Sequence, residues 1–206
     1  MQFSWFTFLG LAALVLAAFA MTAFLSSRYT SWRRHFVMRD FAASRGMKLV
    51  RSKALPELLP ARITGITPRP GARWHFSDGT LSLVRLQSGS DTFNVVLVKI
   101  ASDWPATALR PSAQAYSLFD KLELFSYPSS YSTLRFTLHG LDPPAARTLS
   151  DSPCRGLLPA DLGLLLEGTV MLIDFSSRPF DPIELGRMIA LGRQLAGVVP
   201  VISQTA

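Results

Sequence analysis

One short segment of the chain carries side chains suited to binding an anion. Residues 174–181 read Asp-Phe-Ser-Ser-Arg-Pro-Phe-Asp and join an apolar strand to a helix. Backbone N–H groups and the helix dipole at such a junction both favour a bound negative charge. The sequence therefore predicts these phosphate or carboxylate contacts: Ser176, Ser177 and Arg178. In the alternative interpretation Asp181 and Glu184 only cap the helix. Arg178 could equally pair with Asp174.

A second candidate is the combination of His75 and Asp78 within a predicted hairpin. A histidine oriented by a carboxylate is a general base. Turn chemistry offers a simpler interpretation, in which Asp78 serves the Asp78-Gly79 turn and His75 occupies one face of a strand. The sequence favours this structural interpretation.

The remaining reactive side chains are isolated. Cys154 is the single cysteine, and its Ser-Pro-Cys-Arg-Gly setting favours a small structural residue over a nucleophile. The chain has no dinucleotide, P-loop, zinc-protease or serine-hydrolase motif. The three histidines are far apart, a spacing that does not indicate a metal site. We therefore expect no enzymatic activity, no cofactor and no metal.

The candidate loop is positioned by the last helix and by a predicted sheet. Asp181, Pro182 and Glu184 form a helix start with a capping carboxylate, and the helix should end near Gly197. Asp78-Gly79 separates two alternating runs, which is a hairpin signal. Residues 93–100 are rich in β-branched residues and continue this meander. Further predictions are helices at 115–122, 143–149 and 159–164, a strand at 134–139, and a second hairpin of 165–167 and 170–175.

The N-terminal region carries the clearest sequence signal. Residues 5–25 contain no charged side chain and are almost all apolar. As a helix they would be about 31 Å long, which matches the hydrocarbon core of a bilayer. The sequence predicts a single transmembrane helix followed by an α+β domain, whose mostly antiparallel sheet has helices on one face. The predicted parts are an anchor at 1–27, a basic amphipathic juxtamembrane helix at 28–46, and a domain at 47–206.

Charge predicts the orientation of the anchor. No Lys or Arg precedes the apolar run, whereas five arginines follow it by position 45. Cationic residues that flank a membrane helix stay in the cytoplasm. We expect a single-pass protein of the bacterial inner membrane with its domain in the cytoplasm. A cleaved signal peptide is the alternative, because Ala18-Phe19-Ala20 resembles a cleavage site, but the segment lacks a basic n-region.

The apolar run has one side with small residues, at a spacing that permits close packing of membrane helices. These residues are Gly10, Ala13, Ala17 and Ala20. They predict docking against other transmembrane subunits. Alternatively, alanine is simply common in such a run.

Most of the net positive charge lies beside the predicted membrane. Residues 1–60 hold eight Lys or Arg against two acidic residues, and the rest of the chain is nearly neutral. Anionic lipid headgroups attract such a segment, and the predicted contacts are Arg28, Arg33, Arg34 and Arg39. Trp32, Phe36 and Phe41 share a helical stripe that lies along the headgroups or packs on the domain. A neutral domain without a nucleic-acid motif predicts no nucleic-acid binding.

Residues 119–131 are rich in aromatic and apolar side chains. They include Phe119, Leu122, Leu124, Phe125, Tyr127 and Tyr131. An exposed cluster of this kind would be a docking surface, and a buried one would be core, which is the favoured interpretation. Together these patterns predict a non-enzymatic accessory or scaffold subunit that contacts other subunits of a membrane protein complex. The alternative is a membrane-tethered enzyme, or a lipid- or anion-binding module that uses the 174–181 loop.

Overall fold

The structure is a computed structural model that describes residues 5–50, 58–66, 71–113, 118–122, 124–126 and 135–202. Side chains at 5–12, 24–32, 34, 66, 71–73 and 125–126 are outside the description. The chain divides into two units, Met1–Phe41 and Ala42–Ala206.

The described part of the first unit belongs to one uninterrupted helix, α1 (Trp5–Ser44), of 40 residues. A helix of this length is about 60 Å long. Where an anchor and a separate basic helix were expected, the backbone continues without a break. In the described part of the chain, no helix combines the length and apolarity needed to cross a bilayer.

Helix α1 ends in a C-cap at Gly46. The Gly46 φ is 69°, a left-handed value that favours glycine. The N–H of Gly46 donates to the carbonyl of Ala43 at 3.1 Å, and the N–H of Met47 donates to that of Ala42 at 2.9 Å. These two bonds form a Schellman motif, which satisfies carbonyls at the helix end.

The second unit contains a seven-stranded antiparallel sheet and short helices. The strands are β1 (Lys48–Leu49), β2 (Gly71–Ser77), β3 (Leu81–Ser88), β4 (Asp91–Pro111), β5 (Phe125–Ser126), β6 (Phe136–Gly140) and β7 (Gly163–Asp174). The helices are α2 (Ala61–Ile66), α3 (Pro143–Asp151), α4 (Cys154–Leu157) and α5 (Pro182–Ala196), with a 3₁₀ helix at Leu118–Lys121. The predicted α+β class is confirmed.

Strand β4 is the centre of the sheet. Its first part pairs with β3 and its last part pairs with β6, giving the order β1-β2-β3-β4-β6-β5. The opposite edge of β4 pairs with β7 along most of its length. The predicted hairpin of β2 and β3 is confirmed, with Asp78-Gly79 in its turn.

Two predictions for the C-terminal half are wrong. The expected hairpin at 165–175 is the single strand β7, and Gly168 lies within it at φ 58°. Gly168 faces Trp104, where the β4–β7 register shifts, so its glycine serves an irregularity within the sheet. Residues 159–164 do not form the expected helix, because they comprise a turn and the start of β7.

Both faces of the sheet are covered. On one face α5 approaches closely, since a Cβ on Gly192 would lie 3.2–3.4 Å from the side chains of Val98, Leu81 and Val96. On the other face Val84, Val95 and Leu172 belong to an apolar core with residues from α2 and the 3₁₀ helix. The domain is thus a sheet between two layers, not a sheet with helices on one face only.

The C-terminal segment is tied to the middle of β4. The indole N–H of Trp104 donates to the carbonyl of Pro200 at 3.2 Å, and Trp104 is only 2% exposed. A buried indole N–H needs an acceptor. Residue 200 therefore belongs to the packed part of the domain.

Candidate functional site

The guanidinium of Arg178 is the centre of the candidate loop, and two carboxylates hold it. Its Nε and Nη2 donate to the two Asp161 oxygens at 2.5 Å and 2.7 Å. Its Nη1 donates to Glu184 Oε1 at 2.6 Å. Asp161 lies in the turn before β7, and Glu184 lies in the first turn of α5. The predicted alternative pairing of Arg178 with Asp174 is wrong.

These contacts shift both partners toward their charged forms. Hydrogen bonding to Arg178 lowers the pKa of Asp161, against the smaller opposing effect of partial burial. Hydrogen bonding to Asp161 raises the pKa of Arg178 further above its ordinary value. An anion entering this loop would have to compete with two carboxylates for one cation. Anion binding by Ser176, Ser177 and Arg178 stays a prediction.

The two serines of the loop are also engaged. Ser176 donates its backbone N–H and its hydroxyl to Asp174 Oδ1, and its Oγ accepts from the Asn94 N–H at 3.0 Å. Ser177 donates its hydroxyl to the Asp161 carbonyl at 3.0 Å. These bonds position the loop against β4 and against the turn before β7.

Asp174 is a buried carboxylate that joins two loops. It is 2% exposed, and its Oδ2 accepts from the Leu118 N–H at 3.3 Å. Burial raises the pKa of this carboxyl, although the hydrogen bonds from Ser176 and Leu118 oppose the shift. Asp174 thereby connects the 3₁₀ helix to the loop that precedes α5.

The start of α5 confirms the predicted cap. Asp181 accepts the Glu184 N–H at 2.9 Å, and Pro182 is the first helical residue. The Glu184 carboxylate is bound by Arg178 and by Arg187. Phe180 stacks on Phe175 at 6.1 Å between centroids, so apolar contacts also brace the loop.

Among the described contacts, His75 and Asp78 are not hydrogen-bonded to each other. Asp78 accepts from the N–H of Leu81 and of Thr80 at 2.7 Å and 2.9 Å, and Arg193 Nη2 lies 3.1 Å from its Oδ2. Burial lowers the pKa of His75, which is 1% exposed. Neither ring nitrogen of His75 has a hydrogen-bond partner among the described residues. The predicted structural roles of turn and strand residue agree with this geometry.

Cys154 is fully buried at the start of α4. Burial raises the pKa of its thiol, which disfavours the reactive thiolate. No group of three or more His, Cys, Asp or Glu side chains within the described ranges is arranged to hold a metal ion.

The predicted membrane contacts all lie on α1. Ala13, Ala17 and Ala20 are exposed, as are Arg33 and Arg39. Gly10 belongs to the stretch 5–12, whose side-chain positions lie outside the description. The side chains of Arg28 and Arg34 also lie outside it. The small-residue stripe and the headgroup contacts stay predictions.

The 119–131 aromatic segment contributes to the core where the structure describes it. Phe119 and Leu122 are buried, and Leu124 packs against the same cluster. The side chain of Phe125 and all of Tyr127 and Tyr131 lie outside the described residues. Asp161 was missed in the sequence, because it pairs with a residue 17 positions away in a contact that only the tertiary fold creates.

Comparisons with known proteins bear on the fold. No family model matches the chain, and a search of curated proteins returns no match. The crystal structure of the mycobacterial trehalose monomycolate transport factor A, TtfA, superposes with a TM-score of 0.60. The two chains are 12% identical, and the match covers 84% of this chain and 97% of that chain. The two proteins share a fold.

Proposed function

We propose that this protein is a non-enzymatic accessory factor of a bacterial transport complex. Helix α1 anchors it in the inner membrane, and its cytoplasmic domain docks on other subunits. Anionic headgroups and other transmembrane subunits are its partners.

The observation that carries the proposal is the exposure of large apolar side chains on α1. Leu14, Leu16 and Phe19 are 70%, 70% and 76% exposed. Burying each such side chain is worth about 1.5–3 kcal/mol. Since every described side chain from 13 to 23 is exposed, a helix with this surface needs an apolar environment. The uncharged run 5–25 is long enough for the hydrocarbon core of a bilayer to provide this apolar environment.

The state of the candidate catalytic groups supports a non-enzymatic role. Arg178 is held by two carboxylates, Asp78 is bonded within its turn, and Cys154 is buried. None of these groups is placed as a nucleophile beside a base. The shared fold with a trehalose monomycolate transport factor favours a part in transport over an enzymatic one.

Because α1 is continuous, the distance of each arginine from the end of the apolar run can be compared. If residues 5–25 span the bilayer, Arg28 follows the apolar run by three residues, and Arg39 lies about 21 Å beyond its end. Surface potentials fall off within about 8–10 Å at physiological salt. We therefore expect Arg28, Arg33 and Arg34 to contribute more to headgroup binding than Arg39.

Membrane fractionation tests the anchor. We expect the full chain to remain with membranes after alkaline carbonate washing, and the double variant Leu14→Asp with Leu16→Asp to be released, since each central charge costs about 3 kcal/mol. The matched control is Leu141→Asp with Ile183→Asp, two exposed apolar residues of the domain. Recovery of the unmodified chain in the soluble fraction would contradict the anchor. Blue-native gels after mild detergent extraction test docking, and migration free of other proteins would contradict it.

Anion binding by the 174–181 loop is the second candidate function, favoured by the partly exposed Arg178 beside the exposed Ser177. Thermal unfolding in inorganic phosphate, compared with chloride at equal ionic strength, distinguishes the two candidates. A stabilisation by phosphate that Arg178→Ala abolishes would favour this second function. Equal melting temperatures would favour the accessory role.

A further inference from the structure

Helix α1 continues well past the end of the apolar run. The run ends at Leu25, and the helix ends at Ser44. At 1.5 Å of rise per residue, the extension formed by residues 26–44 is about 28 Å long. The headgroup region on one side of a bilayer is only about 5–8 Å thick. A straight continuation of a helix that spans the bilayer at 5–25 would therefore carry residue 44 well beyond the headgroups.

The extension contains none of the common causes of a sharp bend. Residues 11–45 include no proline and no glycine. The backbone is α-helical at every residue from 5 to 44, so this stretch has no π-bulge. Sharp helix kinks arise at such features. A helix that lay flat on the headgroups after spanning the bilayer would need a bend of about 90° near residue 26, and the continuous backbone of α1 does not supply it.

The first part of the extension has the composition of a helix surrounded by water. Residues 26–35 read Ser-Ser-Arg-Tyr-Thr-Ser-Trp-Arg-Arg-His, in which only Tyr29 and Trp32 are aromatic or apolar. A helix that lies in the membrane surface needs a wide apolar face. A helix that is polar on all sides is typical of a solvent-crossing connection between two bodies. The composition thus favours a helix that leaves the membrane surface.

The far end of the extension joins the domain without a flexible linker. Gly46 ends the helix with its C-cap bonds, and β1 begins at Lys48, which pairs with Ser77. Ala42 and Met47 are 2% and 5% exposed, so the chain is packed on both sides of the cap. A flexible tether would need a run of glycine and serine at this point.

We propose that residues 26–44 are a rigid spacer, which holds the start of the α+β domain about 28 Å beyond the hydrocarbon core of the membrane. The inference rests on the proposed anchor. Membrane helices are tilted by about 20° on average, which reduces this height only to about 27 Å. The partners in the proposed docking are then membrane proteins whose cytoplasmic parts project about as far. A subunit with only short loops at the headgroups does not reach the domain.

Energy transfer from one donor dye to acceptor-labelled headgroups tests the height. The full chain is reconstituted in vesicles of phosphatidylcholine and phosphatidylglycerol, with the donor on Ser27→Cys or on Ser44→Cys. Cys154 is buried, so the unmodified chain measures background labelling. The two labelled positions are about 25 Å apart along the helix axis, and we expect transfer from position 44 to be at most about half of that from position 27. Equal transfer would mean that the helix lies on the headgroups and would overturn the proposal.

Two insertions of equal length test the rigidity. Seven alanines after Ser31 add about two helical turns, or about 10 Å, and transfer from position 44 should fall further. Seven glycine and serine residues at the same place are the matched control, and they should not give this decrease, because a flexible segment lets the helix end return toward the membrane. Identical effects of the two insertions would overturn the rigid spacer. Release of the unmodified chain by alkaline carbonate would contradict the anchor and the spacer with it, whereas equal transfer from a carbonate-resistant chain contradicts the spacer alone.

Discussion

The ring of Phe119 lies directly against the backbone of Gly163, so closely that a Cβ atom on Gly163 would be 2.0 Å from Phe119 Cε2. Phe119 belongs to the 3₁₀ helix and is 5% exposed, and Gly163 is the first residue of β7. A glycine at this position therefore lets the 3₁₀ helix seal one face of the sheet. The restriction comes from space, since Gly163 does not have a positive φ.

The first prediction concerns this contact. Gly163→Ala should lower the free energy of unfolding by about 3 kcal/mol, because a rigid ring must leave its position in a packed core. Urea unfolding of the full chain in mild detergent, followed by tryptophan fluorescence, measures the change. Gly156→Ala is the control, since a Cβ there meets nothing within 4 Å and alanine favours the helix. Similar losses for both variants would show that the Phe119 contact is unimportant.

The second prediction concerns Arg178. Arg178→Ala should cost about 2 kcal/mol of stability, because the Glu184 side chain, only 8% exposed, would lose its main cation. Arg187 also contacts Glu184, at 3.2 Å, but is 69% exposed, and Arg187→Ala should cost under about 0.5 kcal/mol. Differential scanning fluorimetry on the two variants compares them. Equal melting temperatures would mean that the exposed arginine alone compensates Glu184.

The third prediction concerns pH and Asp78. Partial burial raises the pKa of Asp78, but hydrogen bonds from Leu81, Thr80 and Arg193 outweigh it and lower the pKa to about 2. A carboxyl with a lowered folded-state pKa stabilises the fold above its unfolded pKa, and this contribution is lost as pH falls toward about 2. Asp78→Asn should therefore destabilise the protein by about 1–2 kcal/mol at pH 7. The difference from the unmodified chain should shrink between pH 4 and pH 2, and an unchanged difference would exclude this linkage.

The fourth prediction concerns pH and His75. Here the folded state favours the neutral form of the side chain, whereas for Asp78 it favours the charged form. Burial lowers the pKa of His75, so the folded state holds the neutral ring while the unfolded chain takes up a proton as pH falls below about 6.5. Acidification should therefore destabilise the fold through this residue. His75→Leu removes the effect, and its stability relative to the unmodified chain should increase from pH 7 to pH 5. Chemical unfolding at both pH values measures it, and a constant offset would argue against a buried neutral histidine.

Local signals predicted the parts of the fold that local chemistry decides. The Asp78-Gly79 hairpin and the Asp181 cap each depend on residues within a few positions of one another. The packing of distant segments against each other could not be predicted in the same way. The approach of Phe119 to Gly163 joins segments over 40 residues apart, and no spacing in the sequence indicates it.

The wrong prediction of a hairpin at 165–175 has a physical cause. Gly168 suggested a turn, yet it lies inside β7, beside the register shifts of β4 and β7. A positive-φ glycine suits a bulge as well as a turn. Only the partner strand distinguishes the two, and the sequence of one strand does not contain its partner. In the candidate loop, likewise, the sequence indicated which residue types are present. It did not indicate that Asp161 binds Arg178.

The bond from the Trp104 indole to the Pro200 carbonyl ties the C-terminal segment to the interior of the domain. Ending the chain after α5 would leave the buried indole N–H of Trp104 without its acceptor. Such an unmet hydrogen bond costs about 1–3 kcal/mol. The stability of β4 around Trp104 therefore depends on the presence of Pro200. A truncation that removes Pro200 therefore acts on the centre of the sheet as well as on its periphery.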